Sequence, residues 1–329
     1  MATITNTRDD TRFDCEAGDT VLRAALRAGV GMPYSCNTGS CGNCRFDLVE
    51  GTVSHLRDDP PGLSEKDRAR NRWLGCQAVP NGDCAVKFRA MEEYVPIVTP
   101  ERRTAELVSV DKITRDISDF AFHMDGAGDF RPGQYALLTV PGVEGARAYS
   151  MSNLPGDTWN FMIKHAPGGA ATDWLFNAAP GATLEIDGPF GTAFLREESD
   201  RDIVLLAGGS GLSPMVSIAL GAVAAGLDKG RRIHLFYGGR ETKDLCTPDI
   251  LGAAKDKVGF TAALSAPEGG ADWQGPTGLV HEVARNKMGE ALKGCDIYFA
   301  GPAVMSSAVQ QMAHAAGVPM DRLFFDEFY

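Results

Sequence analysis

Four cysteines constrain this chain more than any other feature. Cys36, Cys41 and Cys44 share one short loop, Cys36-Asn-Thr-Gly-Ser-Cys41-Gly-Asn-Cys44. Cys76 follows far downstream in Trp73-Leu-Gly-Cys-Gln77. The pattern C-x4-C-x2-C…C is a spacing by which thiolates hold a [2Fe–2S] cluster. Three thiolates from one loop must converge, so the loop wraps tightly and turns its N–H groups inward at sulfur. Gly39 and Gly42 allow backbone angles that other residues resist. The inward dipoles offset the cluster's negative charge and help set its potential. Two alternatives stand beside the cluster. Zinc usually draws four ligands as two close pairs, and here the division is three plus one. The other alternative is unrelated structural thiols. Cys15, Cys84, Cys246 and Cys295 fall in apolar, strand-like runs and read as buried packing.

The charge divides the chain. Residues 1–90 hold 12 Lys+Arg and 12 Asp+Glu, whereas residues 91–329 hold 20 and 31, the whole of the net −11. The first ninety residues therefore read as a separate unit. A length of 329 residues suits two domains or three small ones. With 44% hydrophobic and 23% charged residues, disordered and fibrous classes are excluded. The acidic balance excludes a general nucleic-acid binder. No apolar leader follows Met1. The uncharged stretch 203–227 is cut by Gly208, Gly209, Ser210, Gly211, Ser213 and Pro214, leaving neither half the roughly 20 residues of a spanning helix. No membrane association and a cytoplasmic location are expected.

Around the cysteines, Thr3–Thr7 and Thr11–Cys15 suit a hairpin. Asp19 or Thr20 caps a helix running to Gly29. Arg45–Glu50 and Asp83–Arg89 read as strands, and Ser64–Arg72 as a short charged helix leading to Cys76. With these elements in place, residues 1–90 resemble a plant-type ferredoxin domain, which implies a β-grasp fold with Cys36, Cys41, Cys44 and Cys76 as the iron ligands. Such ferredoxins are usually acidic; this unit is neutral, so docking by a large acidic face is not expected.

Met91–Arg103 carries Pro96 and Pro100 without periodicity and reads as an extended linker. Beyond it, Ala105–Val110, Ile117–Met124, Tyr135–Val140, Arg147–Met151 and Trp159–Lys164 are β-like runs separated by turn residues, a spacing that favours an antiparallel barrel over residues 104–198. Arg147 and Tyr149 share a strand face. A cation beside a flat ring suits a flavin and its pyrophosphate. Pro167-Gly-Gly169-Ala-Ala-Thr172 opens a helix whose first N–H groups suit a phosphate. The segments together resemble the FAD-binding signature of the ferredoxin–NADP reductase superfamily. The resemblance implies that Arg147 contacts the pyrophosphate, Tyr149 packs on the isoalloxazine and Ser150 hydrogen-bonds near its N5. It implies further that Gly169, Ala170, Ala171 and Thr172 cradle the pyrophosphate, with Ile163 and Lys164 in the same site.

Residues 199–329 alternate strands and helices. Ile203–Ala207, Arg232–Tyr237, Phe260–Leu264 and Asp296–Ala300 read as strands of a parallel doubly wound sheet, with Phe324–Glu327 as a last strand. Nucleotides bind at the carboxyl ends of such strands. Gly208, Gly209, Gly211 and Pro214, then Tyr237 and Arg240, then Gly301 and Pro302 sit there, and the set resembles the NAD(P) domain of the same superfamily. Many members have Cys before the Gly-Pro; this chain has Ala300, so no cysteine is assigned to hydride transfer. The ending Phe325-Asp-Glu327-Phe-Tyr329 implies Glu327 as an electrostatic partner and Tyr329 as a flavin shield. The mixed signs of Arg240, Glu241, Lys243 and Asp244 lack the basic cluster a 2′-phosphate needs, so NADH is expected. His55, His123, His165, His234, His281 and His314 are scattered and read as structural or surface residues.

The order ferredoxin, FAD barrel, NAD domain resembles the reductase components of multicomponent aromatic-ring oxygenases, of the carbazole, naphthalene and benzoate type. The resemblance implies an oxidoreductase passing electrons from NADH through FAD and the cluster to a terminal oxygenase or its small ferredoxin. The same chain of cofactors serving a diiron hydroxylase or a deoxysugar dehydrase is the alternative. The cluster reading is checked by metal analysis: equimolar iron and acid-labile sulfide are expected, and zinc without sulfide would refute it.

Overall fold

The computed structural model describes residues 1–266 and 272–326. The first unit is built on a five-stranded mixed sheet in the order Thr11–Cys15, Ala2–Asn6, Cys84–Lys87, Arg45–Glu50, Arg72–Leu74. The first hairpin is antiparallel, and its strand Ala2–Asn6 runs parallel to Cys84–Lys87. The helix Val21–Arg27 is capped by Thr20, whose side chain accepts from the N–H of Arg23 at 3.4 Å. Its Val21, Leu22 and Leu26 meet Ile4, Phe46 and Val86 of the sheet in one apolar core. The charged helix is only Glu65–Arg68, set by a capping box between Ser64 and Asp67. The expected linker contains a short turn, Glu92–Tyr94, and Met91 donates to the carbonyl of Gly31 at 2.9 Å. Strand structure resumes at Glu101, inside the stretch read as linker.

The second unit is a six-stranded antiparallel sheet in the order Arg147–Ser150, Tyr135–Thr139, Thr183–Phe190, Glu101–Lys112, Ile117–Gly128, Gly156–Lys164. A bridge between Met151 and Phe161 joins its two outer strands, so the sheet closes on itself. The interior is aromatic, with Phe120, Phe122 and Phe161 fully buried. The third unit is a parallel sheet in the order Gly259–Leu264, Ile233–Gly239, Asp202–Gly208, Cys295–Ala300, Leu323–Phe324. Its central strand is apolar from Ile203 to Ala207, where both faces are covered. Ile203, Leu205 and Ala207 meet the helix Leu212–Ala224, while Val204 and Leu206 meet the helices Val280–Met288 and Ala303–Ala315.

The units are joined by specific contacts. Tyr135, Leu137 and Phe190 of the barrel belong to the apolar core of the first unit. The Tyr135 hydroxyl donates to the Ser35 carbonyl at 2.5 Å, and Gly191 N–H donates to the Tyr34 hydroxyl at 2.9 Å. Arg27 bridges Asp19 at 2.8 Å and Asp187 of the barrel at 2.6 Å. Between barrel and third unit, the Ser213 hydroxyl donates to the Ser150 carbonyl and that of Ser217 to the Asn153 carbonyl, both at 2.7 Å. Asp187 is buried, so truncating it takes one carboxylate from Arg27 and Arg102 at the seam and leaves Asp19 to face both. Asp187→Ala is expected to destabilise the chain by about 1–3 kcal/mol, more than Asp187→Asn. Thermal melts of the two variants check this; equal midpoints with the parent would remove the seam's electrostatic contribution.

Candidate functional site

The cysteine loop has no regular secondary structure; its shape is set by turns of the left-handed kind. Asn37, Gly39 and Gly42 have φ of 54°, 88° and 80°. A Cβ on Gly42 would lie 2.7 Å from the Gly62 carbonyl oxygen, and Gly62 N–H donates to the Gly39 carbonyl at 2.9 Å. The loop is therefore pinned against residues 60–63 where no side chain fits. Its N–H groups point at sulfur: Thr38 and Cys41 donate to Cys36 Sγ at 3.5 and 3.4 Å, and Asn43 to Cys41 Sγ at 3.5 Å. Cys76 N–H donates to Cys44 Sγ at 3.4 Å, and Gly75 N–H to the Cys44 carbonyl at 2.8 Å, which fixes the distant ligand segment against the loop.

The four sulfurs interact as two pairs, Cys36 with Cys41 and Cys44 with Cys76. Cys36 is held down to about 4, first by the hydrogen bond from Cys41. Cys41 is pushed up, first by that same bond and then by burial. Cys44 is lowered first by its bond from Cys76. Cys76 is raised first by its bond to Cys44 and then by burial, with the Arg23 charge opposing. Among the described residues no three His, Cys, Asp or Glu side chains converge as one ion would need. Two pairs with inward N–H donors would suit an iron–sulfur cluster. These residues fit the group that their spacing implies.

A cavity of about 650 Å³ opens between this loop and the barrel. Arg147, Tyr149, Gly145 and Ala170 line one side, and Asn37 and Thr38 of the cysteine loop line the other. Arg147 is exposed and Nη1 donates to the carbonyls of Glu144, Gly145 and Ala146 at 3.0–3.3 Å. Burial raises the Tyr149 hydroxyl, with the Arg147 charge opposing. The helix Ala170–Asn177 starts at Gly169 without a side-chain cap, which leaves first-turn N–H groups for a ligand. Other expected flavin residues are placed differently. The Thr172 hydroxyl is committed to the carbonyls of Ala166 and Gly169, both at 3.0 Å. Ile163 is buried in the barrel core. Ala171 is buried behind the first turn, and Ser150 meets the third unit through its carbonyl. Lys164 pairs with Asp116 at 3.1 Å and faces a different cavity.

That second cavity, about 420 Å³, lies at the carboxyl ends of the parallel strands. Gly208, Gly209, Tyr237, Arg240 and Pro302 line it. Gly211, Pro214 and Gly301 do not; they serve close approach. A Cβ on Gly211 would fall 2.1 Å from the Ala300 carbonyl oxygen, and one on Gly301 2.7 Å from Met305 Sδ. Pro214 is buried in the helix Leu212–Ala224. Sequence reasoning missed Arg115, Asp116 and Ser265, and it read His281 as structural or surface; all four line this cavity. Ser265 follows the strand end at Leu264, a signal that could have found it, whereas Arg115 and Asp116 come from a barrel loop and His281 from a helix start, with no such signal. Arg115 is held by Asp244 at 2.7 Å and Glu241 at 3.6 Å, and Lys243 by Glu241 at 2.7 Å. Arg115 and Lys243 are thus matched by carboxylates.

Glu327 and Tyr329 lie outside the described residues. Their neighbour Asp326 sits where the three units meet, accepting from Thr192 N–H at 3.4 Å. A Cβ on Gly191 would fall 2.6 Å from its Oδ2. Burial pushes its carboxyl up to about 7, against hydrogen bonds from Thr192 and Ala193.

Three family models match in order: a 2Fe-2S iron-sulfur cluster binding domain over residues 4–81, an oxidoreductase FAD-binding domain over 104–194 and an oxidoreductase NAD-binding domain over 205–311. The chain is 38% identical over 322 residues to the ferredoxin–NAD(P)+ reductase CarAd of Metapseudomonas resinovorans, covering 96% of each. It is 39% identical over 334 residues to the ferredoxin–NAD+ reductase component of the alkene monooxygenase system of Xanthobacter autotrophicus, covering 97% and 98%. Its structure is similar to that of the ferredoxin reductase in carbazole 1,9a-dioxygenase, with a TM-score of 0.92 at 34% identity over 100% and 98% of the chains.

The Asp326 carboxyl generates a pH prediction. Folding holds its proton more tightly than the unfolded chain does. Its cost to stability is absent below about pH 4, grows up to about pH 7 and is constant above. Asp326→Asn is expected to reduce the fall in thermal midpoint between about pH 5 and about pH 8. An identical fall in both proteins would refute the assignment.

Proposed function

The chain belongs to the family of ferredoxin–NAD(P)+ reductases that carry 2Fe-2S, FAD-binding and NAD-binding domains on one polypeptide, and from that premise we propose that it feeds electrons from NADH to the terminal oxygenase of an aromatic-ring dioxygenase system, or to that system's small ferredoxin. The observation that carries this reading is the single cavity lined by both the Arg147–Tyr149 strand and the cysteine loop, because electrons must cross from one to the other. When bound, FAD takes up a hydride and returns its electrons singly, and the [2Fe–2S] cluster carries one electron at a time.

The residues supply binding and orientation. Cys36, Cys41, Cys44 and Cys76 hold the irons, with loop N–H groups compensating sulfur charge. Arg147 and the first-turn N–H groups at Ala170 bind the pyrophosphate, and Tyr149 covers the flavin ring. Ser150 is assigned to the flavin edge because its backbone is tied to Ser213, which fixes the strand beside the nucleotide domain. Gly208, Gly209, Tyr237, Arg240 and Pro302 shape the nicotinamide nucleotide site. Glu327 and Tyr329, in the chain's last segment, are assigned as electrostatic partner and ring shield. No acid–base triad is required. Among the described residues no helix is long and apolar enough to cross a membrane.

A second reading keeps the same electron path and changes the acceptor to a monooxygenase hydroxylase; the 39% identity to an alkene monooxygenase reductase favours it. Reconstitution separates the two. Purified reductase with NADH is mixed with a ring-hydroxylating dioxygenase or with a diiron hydroxylase, and substrate-dependent oxygen uptake is measured. Uptake with the hydroxylase alone would overturn the first reading.

Coenzyme choice follows from the matched charges. NADH is expected over NADPH, because Arg115 and Lys243 are already neutralised by Glu241 and Asp244. Combining Glu241→Ala with Asp244→Ala frees these cations and is expected to raise kcat/KM for NADPH about tenfold, equivalent to about 1.4 kcal/mol. Steady-state reduction of cytochrome c with each coenzyme checks this, and an unchanged NADPH value would refute it.

A further inference from the structure

The seam cavity holds the least satisfied polar groups near the two redox sites. Asn37 is 1% exposed and Arg23 8%. Neither Nδ2 nor Oδ1 of Asn37 has a hydrogen-bond partner, and neither does Nε of Arg23. Both residues line the cavity that Arg147 and Tyr149 line from the barrel. Buried amides and guanidiniums left unpaired are costly, and a native fold keeps them where a ligand pairs with them.

The chemistry of the walls says which ligand. Arg23 and Arg57 face the cavity from the first unit and Arg147 from the second, while Glu144 is the one carboxylate among the described residues that line it. Such a cavity suits an anionic molecule with a polar ring edge. Asn37 also has a backbone reason to be there. Its φ of 54° is left-handed, a conformation asparagine tolerates better than most residues, and it follows directly on Cys36.

We propose that Asn37 and Arg23 of the cluster-bearing unit are flavin-binding residues, so that the flavin site is completed across the seam rather than within the barrel alone. This rests on the reading of the barrel cavity as the flavin site. The amide of Asn37 supplies both a donor and an acceptor toward the flavin, and Arg23 supplies an N–H and positive charge. The residue that follows the first cysteine thereby holds the flavin against the loop that receives its electrons.

The test uses the full chain with both cofactors. FAD release on dilution is followed by the recovery of flavin fluorescence, and the reduced cluster by its electron paramagnetic resonance signal. Asn37→Gly keeps the left-handed backbone and removes the amide, and Arg23→Met keeps the helix and removes the charge. Each is expected to weaken FAD binding about tenfold, and Asn37→Gly to leave the resonance signal unchanged. FAD affinity within about twofold of the parent in both variants would overturn the proposal. So would a changed resonance signal with unchanged FAD affinity, which would give these groups to the cluster instead. Arg147→Gln is the separate arm for the barrel site: if it releases no FAD, that reading fails, whereas the Asn37 and Arg23 arms still decide whether the first unit holds flavin.

Discussion

Three sulfurs from a loop that no helix or strand supports must converge with a fourth from a distant segment, and the molecule is arranged around that demand. Backbone N–H groups of Thr38, Cys41, Asn43 and Cys76 are turned onto sulfur. That leaves the loop without a ladder of its own, so it is held from outside. Gly62 pins Gly39, Gly75 ties the Cys76 segment to Cys44, and Tyr135 of the barrel reaches the carbonyl just before Cys36. The last contact makes the geometry of the cluster loop depend on the neighbouring unit.

The same dependence sets the seam. The apolar core of the first unit takes in Tyr135, Leu137 and Phe190 of the barrel, and Arg27 bridges a carboxylate from each unit. An interface of this kind is costly to open, because separation exposes aromatic surface and strips partners from charged groups that are largely buried. The Pro-bearing segment 91–103, expected as an extended linker, is tied to Gly31 and carries Tyr94 onto Tyr34, with ring centroids 6.0 Å apart. Electron transfer between the units thus proceeds across a packed contact with a cavity set into it.

Local order was largely legible in the residues. The central strand of the third unit follows from its unbroken apolar run, and the first hairpin from two short β-prone runs. Thr183–Phe190 was not read as a strand; Gly188 and Pro189 at its end break a strand pattern. The helix Val280–Met288 was missed because only three of its residues are buried and its apolar stripe is narrow. The sites divide in the same way. The glycine loops announced the nucleotide cavity, yet Gly211 and Gly301 turned out to permit close backbone approach instead of lining it. Lys164, expected beside the flavin, lies with Asp116 in the nucleotide cavity, since its strand runs from the barrel toward the third unit.

Sequence alone determined the chemistry that spacing encodes: which cysteines share a loop, where small residues open the backbone, and the order of the three units. Those features are local, so a short stretch of chain carries them whole. Tertiary structure decided everything that requires two distant segments to face each other. It paired Cys36 with Cys41 and Cys44 with Cys76, matched Arg115 to Asp244, and set unpaired Asn37 and Arg23 opposite Arg147. Such contacts depend on how closed sheets and apolar cores dock, a property of the packed surfaces that no single segment contains.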